Sequence, residues 1–243
     1  MELIFKENLN STNTYAMEHM TELSDMTFVY CNSQTEGKGR LNRVWFSENT
    51  NNLYLTIVLK PERKDFPFIN LTQYLSVILC RVLLSYDVEA QIKWPNDVLV
   101  DGKKIAGILA KSVVSGNTFK GVALGIGVNL NLSKEEITLI DKPATSLNLI
   151  INKDINRDEF LNKLIEEFTK SYDDFAKAGF NYIEDEYLSK ACFLNKEITV
   201  NVGNNVFIGT AKTLNSDGAL ILCDNKKQED VVITMGEIQW QKH

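Results

Sequence analysis

Histidine is scarce in this chain of 243 residues. It occurs twice, as His19 and as His243. A Ser-His-Asp triad, a two-histidine zinc site and an iron site with two histidines and a carboxylate all need well-placed histidines. Because only His19 has a position that could serve, we expect none of these sites in the protein.

Cysteine is also sparse, and no two cysteines form a CxxC pair. This absence argues against thiolate zinc sites and thioredoxin-type chemistry. Two of the four lie in apolar runs, as small core residues do. The cysteines are Cys31, Cys80, Cys192 and Cys223.

Long apolar runs and a leader segment are missing as well. The apolar stretch 77–84 is interrupted by Arg81 and is too short to span a bilayer. Residues 1–20 alternate polar and apolar side chains, unlike a signal peptide. The sequence therefore predicts a cytoplasmic protein with no membrane partner.

Charge and glycine are unevenly distributed along the chain. The net charge is −6, yet residues 34–111 hold 11 basic and 8 acidic residues. Eight of the 13 glycines lie between Gly37 and Gly127, and glycine lets backbone turn tightly or approach a ligand closely. A basic, glycine-bearing segment in an acidic chain favours a small anionic ligand over a nucleic-acid surface, which usually has a basic stripe.

The hydrophobic pattern predicts an α+β fold. Alternation predicts strands at 2–6, 27–31 and 53–59, and a helical period predicts helices at 71–84, 157–178 and 182–191. Residues 32–43 form a polar, unpatterned loop, which at that length is usually functional or disordered. Asp101-Gly102 is a strong hairpin signal inside an antiparallel meander over 98–130.

Short strands dominate from about Phe193 onward. Segments 197–202, 206–213, 219–223 and 230–234 are separated by turn residues, as in a small barrel. We therefore predict a first domain over 1–191 and a second over 192–243.

Two glycine-rich segments look like phosphate motifs but fail on inspection. Residues 125–130 lack the third glycine of a dinucleotide fingerprint and lie in a predicted strand. Residues 37–40 are not followed by the lysine and hydroxyl of a P-loop. Any nucleotide must therefore bind in another geometry.

Five short motifs nevertheless form an ordered set that is more specific than any one of them alone. They are Ser11-Thr12-Asn13, the loop 34–45, Lys93-Trp94-Pro95-Asn96-Asp97, the segment 103–109 and Gly125-Ile126-Gly127-Val128-Asn129. In this order the chain closely resembles the biotin protein ligases, also called biotin–[acetyl-CoA-carboxylase] ligases. The resemblance implies a mixed sheet flanked by helices, similar to class II aminoacyl-tRNA synthetase cores, followed by an SH3-like barrel.

The resemblance also implies a two-step reaction that needs no activated serine, cysteine or histidine. The carboxylate of biotin attacks the α-phosphate of ATP, giving biotinyl-5′-AMP and pyrophosphate with Mg²⁺ as the metal. A lysine of a biotin carboxyl carrier protein then takes the biotinyl group. The enzyme supplies positioning, cations and a dry site.

The resemblance assigns roles residue by residue. Lys104 and Arg40 would act in catalysis, and Asp97 would bind Mg²⁺. The biotin-binding residues would be Ser11, Thr12, Asn13, Gln34, Gly37, Lys38, Gly39, Arg40, Lys104 and Gly107. The ATP-binding residues would be Arg43, Trp45, Asn96, Asp97, Gly125, Gly127 and Asn129. Without the resemblance, the loop cations are typical of a solvated loop and Lys104 of an exposed strand lysine.

Two other functions stay open at this point. A lipoate or octanoate protein ligase has a related fold, although its glycine-rich motif and characteristic histidine are not visible here. A biotin-sensing repressor would carry an N-terminal DNA-binding domain, for which we expect no room before Ser11, and the net charge of −6 argues against tight DNA binding. The sequence is compatible with a monomer or a homodimer.

Overall fold

The computed structural model describes residues 1–47, 51–62 and 66–240, without the side chain of Asn42. The strands in these residues are β1 (Glu2–Leu9), β2 (Thr27–Gln34), β3 (Leu53–Leu59), β4 (Gln91–Lys93), β5 (Asp97–Val100), β6 (Lys103–Ser115), β7 (Thr118–Val128), β8 (Glu197–Val202), β9 (Asn205–Leu214), β10 (Leu220–Asp224), β11 (Asp230–Ile233) and β12 (Glu237–Trp240). The α-helices are α1 (Thr12–Glu18), α2 (Leu71–Leu84), α3 (Lys134–Thr138), α4 (Leu147–Ile151), α5 (Arg157–Ala178) and α6 (Glu184–Lys190). Single 3-10 turns lie at Arg40–Asn42, Phe68–Asn70 and Gly179–Tyr182.

The larger sheet has seven strands in the order β1-β2-β3-β7-β6-β5-β4. Only β1 and β2 run parallel, and the other neighbours are antiparallel. The predicted mixed sheet and the meander over 98–130 are thereby confirmed. Asp101 and Gly102 both have positive φ, 50° and 74°, which is the backbone that a tight two-residue hairpin turn needs.

Both faces of the central strand β3 are buried, which explains why it is mostly apolar. Leu55 and Ile57 belong to the main core, which α2 and α5 complete. Val58 faces the opposite way and packs with Ala16 and Met20 of the α1 region. The sheet therefore lies between α1 on one side and α2 with α5 on the other.

Helix α5 has the bounds that its hydrophobic period predicts. The side chain of Asn156 caps it by accepting hydrogen bonds from the amides of Asp158 and Glu159, at 3.0 and 3.1 Å. It ends at Gly179, whose φ of 62° suits a residue without a side chain. The buried hydroxyl of Tyr74 in α2 donates to the Phe168 carbonyl oxygen at 2.6 Å and joins the two helices.

The smaller sheet is antiparallel throughout, in the order β11-β10-β9-β8-β12. The four predicted strands are present, and β12 is a fifth that the pattern did not indicate. In the part of the chain that the structure describes, no pairing joins the two outer strands, so a closed barrel is not found there.

The predicted loop over 32–43 is shorter and more ordered than expected. Strand β2 continues to Gln34, since its far end pairs with β1. Beyond it, Lys38 bridges Val44, and the Trp45 amide donates to the Gly37 carbonyl oxygen at 2.8 Å. The segment 38–46 therefore folds back on itself as a compact flap, which we call the ligand loop.

Among the helices of the described residues, none has the length and apolar character needed to cross a bilayer.

Candidate active site

A cavity of about 610 Å³ opens where the ligand loop, α1 and the strands β5–β7 meet. Its far side is formed by residues 139–144 and by Glu237 and Ile238 of the smaller sheet. All but one of the residues predicted from sequence to bind biotin or ATP line this cavity. The exception is Gly37, where a side chain would meet the Ser47 hydroxyl at 2.1 Å. Gly37 therefore supports the base of the ligand loop.

One end of the cavity is a network of buried polar groups. The Thr12 amide donates to Gln34 Oε1 at 2.8 Å, and the Asn13 amide group donates to the Leu109 carbonyl oxygen at 3.2 Å. The Thr56 hydroxyl lies 2.9 Å from Thr12 Oγ1 and 2.8 Å from Asn13 Oδ1. Such groups, held by one another in a dry setting, are suited to a small polar ring.

Thr56 was not predicted as a site residue, although the sequence carries a signal for it. It is the single aliphatic hydroxyl side chain in β3, and it is fully buried. A buried hydroxyl needs a partner, and the cavity network supplies one.

Ser11 precedes α1, and its side chain makes no capping hydrogen bond in this structure. It is buried and lines the cavity. Its side chain is therefore available to a ligand instead of to the helix.

Glycines on two neighbouring strands make the cavity floor flat. Gly107 of β6 pairs with Gly127 of β7, and the Trp45 indole lies against both. A Cβ atom at Gly127 would lie 2.4 Å from Trp45 Nε1, and one at Gly125 would lie 2.5 Å from Asn13 Oδ1. In the described residues Trp45 Nε1 is buried and has no hydrogen-bond partner. Trp45 thus closes over the cavity floor.

Lys104 and Asp97 form an ion pair inside the cavity. Lys104 Nζ lies 2.6 Å from Asp97 Oδ1, and both side chains are about three-quarters buried. Lys104 Nζ is also 5.1 Å from the centre of the Trp45 ring. The backbone of Lys104 is fixed on both sides, to Pro143 and to Thr145. The ammonium group is therefore held in place before any ligand enters.

Arg40 approaches the same region from the ligand loop. Its Nη1 donates to Asn96 Oδ1 at 3.2 Å, and Asn96 Nδ2 in turn donates to the Ile108 carbonyl oxygen at 2.7 Å. Burial lowers the pKa of Arg40, and the charges of Asp97 and Glu237 oppose that shift. A partly buried guanidinium of this kind gains from an incoming anion.

Arg43 contacts the smaller sheet in this structure. Both of its Nη atoms donate to the carboxylate of Glu237, which Lys142 also approaches at 3.2 Å. The Arg43 hydrogen bonds, with help from Lys142, lower the pKa of Glu237 to about 2. The other loop cation, Lys38, is half-exposed and lies 3.6 Å from Glu36.

The charge of the cavity wall favours an anion. Among its described residues the cations outnumber the carboxylates by six to three. The cations are Lys38, Arg40, Arg43, Lys93, Lys104 and Lys142, and the carboxylates are Asp97, Asp141 and Glu237. Lys93, Lys142 and Glu237 were not predicted as ligands. Lys142 and Glu237 reach the cavity through contacts between distant segments, whereas Lys93 begins the 93–97 motif and only Asn96 and Asp97 of that motif were assigned roles.

Asn129 and Asp97 are residues that the resemblance assigns to a nucleotide and its metal. Asn129 lines the cavity, and its Nδ2 donates to the Thr145 carbonyl oxygen at 3.0 Å. The described residues contain no cluster of three or more metal-ligating side chains. Mg²⁺ on a triphosphate needs only one or two carboxylates, and Asp97 is suitably located for this.

Comparison with known proteins agrees with this geometry. Residues 5–129 match the biotin/lipoate A/B protein ligase family, and residues 193–239 match the biotin protein ligase C-terminal domain. A biotin–[acetyl-CoA-carboxylase] ligase of Paracoccus denitrificans is 32% identical over 88% of this chain and 90% of its own. A bifunctional ligase/repressor BirA of Bacillus spizizenii is 30% identical over 90% of this chain and 69% of its own.

A solved structure has the same fold. The biotin protein ligase from Aquifex aeolicus, in complex with biotin and ATP, superposes with a TM-score of 0.83 at 26% identity, covering 98% of this chain and 97% of that one. Fold and cavity thus define a ligase that joins a carboxylic acid to a protein. The chain belongs to the biotin/lipoate A/B protein ligase family, and within it to the biotin protein ligases.

Proposed function

We propose that this protein activates biotin with ATP as biotinyl-5′-AMP and transfers the biotinyl group to a lysine of a biotin carboxyl carrier protein. The observation that carries the proposal is the single cavity in which the polar network, the paired glycines and the Lys104–Asp97 ion pair meet. The match of residues 193–239 to the biotin protein ligase C-terminal domain favours biotin over lipoate.

The two ends of the cavity suit the two ends of the acid. The network of Thr12, Asn13 and Gln34 presents amide and hydroxyl groups that match the ureido ring of biotin. Lys104, beyond the glycine floor, would attract the carboxylate. The Trp45 indole, which packs against the glycine floor, provides an apolar surface between these two ends.

In the first step a carboxylate oxygen of biotin forms a bond to the α-phosphorus of ATP. The bond from that phosphorus to the bridging oxygen breaks, and pyrophosphate leaves with the electron pair. Lys104 and Arg40 balance the negative charge that gathers on the α-phosphate, and cations fixed in advance do so at little cost. Asp97 orients Lys104 and, with Asn96, would hold Mg²⁺, which would supply charge neutralisation for the phosphates.

In the second step the neutral amine of the carrier lysine attacks the mixed anhydride. A C–N bond forms, the C–O bond to AMP breaks, and the amine loses a proton. Until then the ligand loop would retain the reactive adenylate. Arg40 is the residue best located for this, because it reaches from the loop to Asn96 on the opposite wall.

We also propose a division of the chain into domains and a cellular compartment. We divide the chain into a catalytic domain over 1–191 and a C-terminal domain over 192–243, and assign the five-stranded sheet to an SH3-like barrel. The four cysteines are free thiols, which supports work in a reducing compartment such as the cytoplasm.

The direct test mixes the protein with biotin, ATP, Mg²⁺ and an apo carrier domain, and detects labelled carrier with streptavidin. We expect labelling that requires ATP, and biotinyl-AMP by mass spectrometry when the carrier is left out. Absence of both products would refute the proposal. Thermal shifts with biotin and with lipoate separate the two acids, and only biotin should stabilise the protein.

A further inference from the structure

Lys93 is a cavity-lining cation to which the proposed function assigns no role. It lines the cavity at the end of β4. In the part of the chain that the structure describes, no carboxylate lies within 4.0 Å of its ammonium group, whereas Lys104, Arg43 and Lys142 each have one. A cation in this position is available to an incoming anion.

An aromatic ring takes the place of a carboxylate beside Lys93. The ammonium nitrogen lies 5.4 Å from the centre of the Trp240 ring, within the range of a cation–π contact. Trp240 belongs to β12, where it pairs with Ile198 of β8, so its backbone is fixed by the smaller sheet. The contact therefore joins the two sheets across the edge of the cavity.

Lys93 also shares its face of the sheet with the reacting region. It pairs directly with Asp97 across β4 and β5, and paired residues of neighbouring strands extend to the same side. Asp97 in turn contacts Lys104 at 2.6 Å. Lys93 is thus linked through Asp97 to Lys104, whose ammonium group would face the α-phosphate.

Burial makes the charged form of the Lys93 side chain costly. Desolvation lowers its pKa, Lys142 acts in the same direction, and Asp97 and Glu237 oppose the shift. A ring face offsets part of this cost without neutralising the charge. The positive charge therefore stays available, and the outer phosphates of a nucleotide would compensate for the lost water.

We propose that Lys93 binds the β- and γ-phosphates of ATP, and that Trp240 is the positioning residue that holds its ammonium group at the cavity edge. This inference rests on the proposed function and extends it to two residues. Lys196 provides a matched comparison, because its ammonium group also lies 5.4 Å from the Trp240 ring but does not line the cavity.

The test measures binding of an α,β-methylene analogue of ATP and of AMP by calorimetry, at saturating biotin. Trp240→Leu should weaken binding of the ATP analogue about three- to tenfold, the scale of a partly buried cation–π contact. Lys93→Met should weaken it about tenfold or more, the scale of a lost hydrogen bond between charged groups. Binding of AMP, which has no outer phosphates, should change less than twofold in both. Trp240→Phe should restore most of the loss, and Lys196→Met should match the wild type.

A double variant and steady-state kinetics then distinguish a positioning role of Trp240 from a role in packing alone. In the Lys93→Met background, Trp240→Leu should add nothing, since its effect passes through Lys93. In turnover the variants should raise KM for ATP and leave KM for biotin and kcat nearly unchanged. If Trp240→Leu is unfolded by circular dichroism, the comparison of Lys93→Met with Lys196→Met still decides the matter.

Three results would overturn the inference. They are unchanged affinity for the ATP analogue in Lys93→Met, an equal loss for AMP, and a loss in Trp240→Leu that persists in full without Lys93. If the wild-type protein binds biotin and neither nucleotide, the proposed function itself fails, and that result is distinct from all three.

Discussion

Arg43 and Glu237 lie 194 positions apart in the chain, yet both Nη atoms of the arginine donate to the carboxylate of the glutamate. One residue belongs to the ligand loop and the other to the first position of β12. The smaller sheet therefore holds the loop from outside the larger sheet. Because the pair stabilises the ionised carboxylate, the pKa of Glu237 falls to about 2.

This depressed pKa predicts a pH-dependent contribution to stability. The free carboxyl titrates near 4.5 and the folded one near 2, so the unfolded chain binds the proton more readily between these values. The stabilisation is therefore complete above about pH 5 and is lost as the pH falls toward 2. Glu237→Gln should lower Tm by at most about 2–4 °C at pH 7, because a partly exposed pair contributes about 1 kcal/mol or less.

The measurement compares wild-type and Glu237→Gln melting temperatures from pH 7 down to pH 3. The difference should shrink as the pH is lowered. Glu229→Gln, at an exposed carboxylate in the turn before β11, should follow the wild type throughout. A difference that stays constant with pH would show that the pair does not act through the ionised carboxylate.

Lys104→Ala should slow formation of biotinyl-AMP at least about 100-fold, the scale of losing one preorganised charge donor. The assay is release of pyrophosphate with saturating biotin and ATP. Lys103→Ala is the matched control, because Lys103 is exposed and lies outside the cavity. A rate for Lys104→Ala within threefold of wild type would remove Lys104 from the mechanism.

Gly125→Ala should weaken biotin binding about tenfold or more, since the added methyl group would meet the Asn13 amide group at 2.5 Å. That displacement breaks the contacts of Asn13 with Thr56 and Leu109. Asn13→Ala should cause a similar loss by a different route, and calorimetry with biotin alone measures both. Wild-type affinity in Gly125→Ala would mean that the amide group of Asn13 does not contact biotin.

Arg40→Gly should release the adenylate before transfer and label lysines on unrelated proteins. The reason is that the loop would lose its hydrogen bond to Asn96 and its buried positive charge. Arg40→Lys should fall between this variant and the wild type, because it keeps the charge and loses the planar fork. Streptavidin blots against a mixture of carrier and bystander protein give the ratio, and an unchanged ratio in Arg40→Gly would contradict the retaining role.

Local sequence patterns predicted the main strands and helices and one tight turn. Strand β3 over Leu53–Leu59 and helix α5 over Arg157–Ala178 have the bounds predicted from the sequence. Strand β3 is an apolar run buried on both faces, and α5 is buried along one apolar face. The Asp101-Gly102 turn follows from its residue types. These features depend on residues that are close together in the sequence, so the amino-acid sequence alone is enough to predict them.

Contacts across long distances in the chain were missed for the same reason. Nothing near Lys93 in sequence indicates Trp240, and nothing near Arg43 indicates Glu237. The fold of the ligand loop was also missed, since the bridge from Lys38 to Val44 depends on packing at its base. The family resemblance supplied residue types for the site, but the partners of each charge came only from the three-dimensional arrangement.

Strand β12 has a consequence for how local unfolding would affect the cavity. Two of its residues, Glu237 and Ile238, line the cavity, and the strand is held by its pairing with β8. Separation of β12 from β8 would therefore remove one side of the cavity and the outer anchor of the ligand loop, while the strands that carry Lys104 and Asp97 stay paired within the larger sheet.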